Sequence, residues 1–86
     1  MGNRVALIGI IVEKDTETGT LNRLLHEYRE WIVGRMGIPY RERDISIISV
    51  AVDAPSDVIS ALSGKLGMIR GVTTKTIYSK LPEAEK

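Results

Sequence analysis

Few residues in this chain carry side chains that do chemistry, and their spacing limits what they can do. The single histidine, His26, stands four residues before Glu30. One imidazole and one carboxylate make an incomplete metal site, because metals take three or four donors. His26 therefore reads as a solvated histidine, and no metal or other cofactor is expected. The absence of Cys removes disulfides, thiolate metal sites and cysteine nucleophiles. Asp15, Glu17, Asp53 and Asp57 all stand where helices are expected to begin. Helix starts favour acidic side chains, so capping rather than acid–base catalysis is their expected role. No nucleophile–base pair is left over, and the chain is not expected to be an enzyme.

A richer constellation is Val33 to Asp44, VGRMGIPYRERD. Its apolar residues suit a strand, yet Gly34, Gly37 and Pro39 interrupt them and Arg35, Arg41 and Arg43 crowd in. The arginines suit either a small phosphate-contacting cluster or a charged sheet edge that discourages aggregation. Glycines inside a strand mark a bulge or the close approach of another backbone or ligand. Gly34, Arg35, Met36, Gly37, Tyr40 and Arg41 are accordingly the candidate ligand-binding or oligomer-interface residues. If close approach is the reason for Gly37, a Gly37→Val change disrupts assembly or folding. Gly19 precedes a helix start, where free backbone N–H groups can receive a carboxylate or phosphate; an ordinary loop glycine is the simpler reading.

The elements around these residues are legible from their periodicity. Arg4 to Val12 is a continuous aliphatic run rich in β-branched residues, as a central strand requires. Glu13 to Thr18 is polar and offers Thr16 or Thr18 as an N-cap. Leu21, Leu24, Leu25 and Tyr28 then follow the helical stripe of an amphipathic helix over about residues 16–30. A second strand runs from Trp31 to Tyr40. If regular, it turns Ile32, Met36 and Ile38 one way and Val33, Arg35 and Gly37 the other. Pro39 cannot donate to a ladder and confines this strand to an edge.

Ile45 to Val52 is another aliphatic strand, and Asp53-Ala54-Pro55 stops it. Pro55 suits the first helical position and Asp57 the positive end of the dipole. Val58, Ala61, Leu62 and Leu66 line one face of that helix, and Gly67 stops it. A last strand, to about Ser79, has Thr73, Lys75 and Ser79 on a wet face and Val72, Thr74, Thr76 and Tyr78 on the other. The order strand, helix, strand, strand, helix, strand matches the split βαβ, ferredoxin-like α+β arrangement: an antiparallel four-stranded sheet with two helices on one face. In it the first and third strands are central. Residues 1–80 form one domain, with 81–86 a charged tail.

Composition bounds the function classes. With 86 residues there is room for one core only, and a domain of this size buries roughly 60–65% of its unfolded surface, so self-association would help it. The chain has no Phe, so its core must be aliphatic. A net charge of +1 gives no general pull toward nucleic acid or anionic lipid. The RNA-binding module of this topology stacks bases on aromatics of its central strands, and the central strands here have none. No run spans a bilayer, and a cytoplasmic location with no membrane partner is expected.

The strings RVALIGIIVE (4–13), LLHEY (24–28), IVGRMGIPYRER (32–43), ISIISVAVDAP (45–55) and ISALSGKLGMIRGVTTKTIYSK (59–80) resemble the iron-only hydrogenase system regulators over nearly the whole chain. More distantly the chain is similar to ACT-like regulatory domains and to the C-terminal domain of the nickel-responsive regulator. The resemblance implies a transcriptional regulatory or sensing domain linked to hydrogenase maturation or expression. It implies a homo-oligomer, dimer or tetramer, with a small-molecule effector between subunits near Gly34 to Arg41, or a regulatory protein partner. Nickel binding does not follow, because that regulator's site uses several His and a Cys. Direct DNA binding is not expected, since the first strand begins by Arg4. An alternative is an adaptor that docks another protein by the same edge and takes no small molecule.

Overall fold

The structure, a computed structural model, describes residues 2–81; the proposed tail beyond Leu81 lies outside them. Strand β1 (Arg4–Glu13) buries Ala6, Ile8, Ile10 and Val12 on one face. Helix α1 (Thr18–Glu27) follows, then a 3-10 turn at Arg29–Trp31, strand β2 (Ile32–Tyr40), a second 3-10 turn at Arg41–Arg43 and strand β3 (Ile45–Ala54). Helix α2 (Ser56–Gly67) and strand β4 (Val72–Tyr78) complete the order. The sheet runs β2-β3-β1-β4 with every pairing antiparallel. This is the expected ferredoxin-like arrangement, with the two aliphatic runs central and the Pro-bearing and Thr-rich strands at the edges.

The core is wholly aliphatic. The inward faces of β1 and β3 meet Leu21 and Leu25 of α1 and Ile59, Leu62 and Leu66 of α2. Ala61, expected on the buried face of α2, is exposed, and Ile59 takes that place. Ser63 ties α2 to β4: its carbonyl accepts from Thr74 Oγ1 at 3.4 Å and its hydroxyl from Thr76 Oγ1 at 3.1 Å. Lys65 Nζ donates to Tyr28 Oη at 2.9 Å, joining α2 to the end of α1. That hydrogen bond raises the Lys65 pKa above its ordinary value.

The helix ends differ from the expectation in detail. Neither Thr16 nor Thr18 caps α1. Glu17 is the N-cap, and its Oε1 accepts from the Gly19 N–H at 2.8 Å. The free donor at Gly19 thus receives a carboxylate from the chain itself. Thr16 instead turns its hydroxyl onto the Glu13 carbonyl at 2.6 Å. Asp15 has φ of 70°, the left-handed conformation of a tight turn, and does not cap the helix. Pro55 is the N-cap of α2 rather than its first helical residue. Asp57 lies in the first turn as expected. Asp53 does not cap either: it lies within β3 opposite Val5. Gly67 is the last helical residue, but the left-handed glycine of this corner is Gly71, with φ of 84°.

Candidate functional site

The site is built on β2, an edge strand paired only with β3. Its pairing is interrupted once. Ile32 stands opposite Val52 and Gly34 opposite Ala51, so Val33 is an extra residue, a bulge. Paired residues of an antiparallel ladder share a face, and alternate residues change face. Ile32 therefore faces the helices with Val52. After the bulge it is Arg35 and Gly37 that face them, opposite the buried Val50 and Ile48. Met36 and Ile38, opposite Ser49 and Ile47, face the other way. The expected grouping of Ile32 with Met36 and Ile38 assumed a regular strand, and one inserted residue reverses it.

The candidate residues accordingly fall in three places. Gly34, Met36 and Tyr40 lie on the sheet face that no helix covers. There Gly34, Met36, Leu7, Ser49 and Ala51, with Arg35 at the strand edge, line a largely apolar depression of about 250 Å³. Arg35 and Gly37 lie on the helix side. Arg35 lines a cavity of about 340 Å³ with Asn22, Leu25, His26, Arg29 and Ile32. Arg41 lies past the far end of the strand, at a cavity of about 330 Å³ shared with Pro39, Asp44 and the turn after β1.

Close approach within the chain does not explain either glycine of β2. A Cβ at Gly34 would meet nothing within 4 Å, and one at Gly37 would meet only Ile48 Cγ1 at 3.7 Å, an ordinary contact. Gly37 also faces the helices rather than the open sheet face, so a side chain there does not obstruct a neighbour stacked on that face.

The open face as a whole is apolar. Val5, Leu7 and Ile11 of β1, Met36, Ile38 and Tyr40 of β2, Ile47 of β3 and Ile77 of β4 are all exposed. Met36 is 66% exposed, Ile38 57% and Ile77 68%. Toward one end of this face Asp53 Oδ1 is buried without a hydrogen-bond partner. The extent of this surface is not evident from β2 alone. Its signal in the sequence is β1, which is apolar on both alternating faces while the sheet carries helices on one.

A further cavity, about 490 Å³, lies at the corner between the β1–α1 turn and the α2–β4 connection. Its carboxylates, Glu13, Asp15 and Glu17, alternate with Lys14, Arg70 and backbone. Backbone bonds knit this corner: the Glu13 N–H donates to the Gly71 carbonyl at 2.8 Å and the Lys14 N–H to the Asp44 carbonyl at 2.9 Å. Among the described residues no group of three or more His, Cys, Asp or Glu side chains comes together to hold a metal. No helix among them is long and apolar enough to cross a membrane.

Residues 4–76 match the protein family described as "TM1266-like: Iron-only hydrogenase system regulator, putative". The solved structure of the uncharacterized protein TM1266 from Thermotoga maritima is similar to this chain at 40% sequence identity and a TM-score of 0.86. The match covers 91% of this chain and 99% of that one. No curated protein matches the chain.

Proposed function

Because the chain belongs to the TM1266-like family of iron-only hydrogenase system regulators, we propose that it is a non-enzymatic, ACT-like regulatory domain that works as a homo-oligomer. On this reading a small effector, bound near Gly34 to Arg41 at a subunit boundary, biases the assembly, and the assembly acts on the transcription or maturation of the hydrogenase system. The observation that carries the reading is the uncovered apolar sheet face. Four strands at about 4.8 Å spacing, over about seven residues at 3.3 Å each, present roughly 450 Å² before side-chain relief is added. Standard interfaces bury about 800 Å² per partner. Side chains as bulky as Met36, Ile38 and Ile77 raise the flat figure toward that value. Two copies stacked face to face shield one another's apolar surface, at roughly 25 cal/mol per Å² removed from water.

Light scattering at micromolar concentration tests the assembly, with a dimer or larger species expected; monomer alone overturns it. The same face also suits a protein of different sequence, which is the adaptor alternative. A thermal-shift screen of amino acids, nucleotides and metal ions separates the two, since a ligand at 100 times its Kd adds about 2.7 kcal/mol of stability. A flat screen favours the adaptor.

A further inference from the structure

The helix side of β2 offers a second surface, which shares Arg35 with the edge of the apolar depression on the open face. Asn22, Leu25, His26 and Arg29 have the spacing of one stripe of α1 continued past its end, and they face the edge strand across the 340 Å³ cavity. Leu25 is buried and Ile32 half-buried, which makes the floor apolar. The polar groups of the lining are the Asn22 carboxamide, the His26 imidazole and the Arg29 and Arg35 guanidinium groups, with no Asp or Glu among them. Arg29 is held in place, its Nη1 donating to the His26 carbonyl at 2.9 Å. Arg35 is there because of the bulge. Were Val33 paired regularly, Arg35 would stand opposite Ser49 and point to the open face; the inserted residue sets it opposite Val50, on the side of α1.

We infer that this cavity is a binding site for a small metabolite bearing a multiply charged oxyanion, a phosphate or a pair of carboxylates. Arg29 and Arg35, both exposed to solvent, give this concavity a local excess of positive charge that attracts an anion. Guanidinium groups offer paired donors in the geometry that carboxylate and phosphate oxygens accept, while His26 and Asn22 add donors at the rim. The negative end of the α1 dipole gives one cation a reason to lie near the helix terminus. It does not account for Arg35, which a strand irregularity delivers to the same cavity. The volume exceeds that of a bare ion and falls within the range of small-molecule sites, which begins at about 300 Å³. The apolar floor suits the carbon skeleton that carries the charge. The inference deepens the regulatory reading by giving its effector a charge and a place, and it rests on that reading for its regulatory meaning; the binding itself does not.

Calorimetric titration with sodium phosphate and with citrate, each against sodium chloride at matched ionic strength, tests the site. Saturable binding of one anion per chain is expected, and whichever of the two binds more tightly identifies the class. Arg35→Gln and Arg29→Gln should each weaken binding by about tenfold or more, the loss of a charge-assisted contact. Arg43→Gln, outside the cavity, should leave it unchanged. Circular dichroism of each variant shows whether it is folded, and because Arg29 and Arg35 are on different elements, either folded variant suffices. Absence of binding beyond the chloride control overturns the inference, as does equal weakening by Arg43→Gln. Light scattering on the same samples keeps the two readings apart: a monomer that binds phosphate defeats the assembly and leaves the site standing. An oligomer that binds neither anion does the reverse.

Discussion

The residue with the least freedom is Gly71. Its φ of 84° is a conformation that side chains rarely adopt, and a Cβ there would run into the Thr16 hydroxyl. Thr16 cannot easily give way, because its Oγ1 is bonded to the Glu13 carbonyl. Gly71→Ala should therefore cost roughly 1–3 kcal/mol, and each kcal/mol lowers Tm by about 4–8 °C for a domain of this size. Thermal denaturation followed by circular dichroism checks this, and an unchanged Tm would show that the corner relaxes freely. The role of Thr16 was not legible in the sequence. A threonine three residues before Gly19 looks like an N-cap, and only the fold brings Gly71 beside it. Asp53 was misleading for a similar reason: local sequence places it at a helix start, whereas pairing with β1 carries β3 two residues further, to Ala54.

At the scale of elements, the pattern of apolar residues determined almost everything. Two long β-branched runs specified the central strands, Pro39 an edge, and the stripe from Leu21 to Tyr28 the buried face of α1. What periodicity could not supply was the phase of β2. A strand alternates with period two, so one unpaired residue exchanges the faces of everything after it. Val33 has the composition of any other strand residue, and only the pairing with β3 shows it to be extra. The candidate site was thus found as a stretch but not divided correctly between its two surfaces. The structure also changes what Gly34 and Gly37 are expected to do. Both positions accept a Cβ without a clash, and replacing glycine by alanine in extended backbone reduces the freedom of the unfolded chain. Gly34→Ala and Gly37→Ala should leave stability unchanged or raise it by up to about 1 kcal/mol, as chemical denaturation would reveal. A loss above that size at Gly37 would mean that Ile48 cannot accommodate the methyl group. A change in oligomer size at Gly34 with no change in the monomer's fold would mean that something packs against the depression beside Met36.

For the whole molecule, the asymmetry of the sheet is the dominant fact. One face is sealed by two helices over an aliphatic core, and the other shows eight large apolar side chains to solvent. The excess was visible in Val5, Leu7 and Ile11, which no helix of a two-layer fold can reach, but Met36 and Ile38 could join them only once the bulge had set their direction. If a second copy covers this face, a carboxylate placed in its middle must either lose its water or keep the copies apart, and in a two-fold dimer each substitution enters twice. Burying an unpaired carboxylate costs several kcal/mol, far more than an exposed substitution costs the monomer, which is within about 0.5 kcal/mol. Ile38→Glu and Met36→Glu should therefore reduce the mass seen by light scattering to that of one chain while circular dichroism and Tm in dilute solution remain those of a folded domain. An assembly that survives both changes is built on another surface. If the species falls apart and phosphate still binds, the open face makes the assembly and the Arg29–Arg35 cavity works within a single chain. If binding is lost along with the assembly, the effector needs both copies, and the cavity beside α1 is only half of its site.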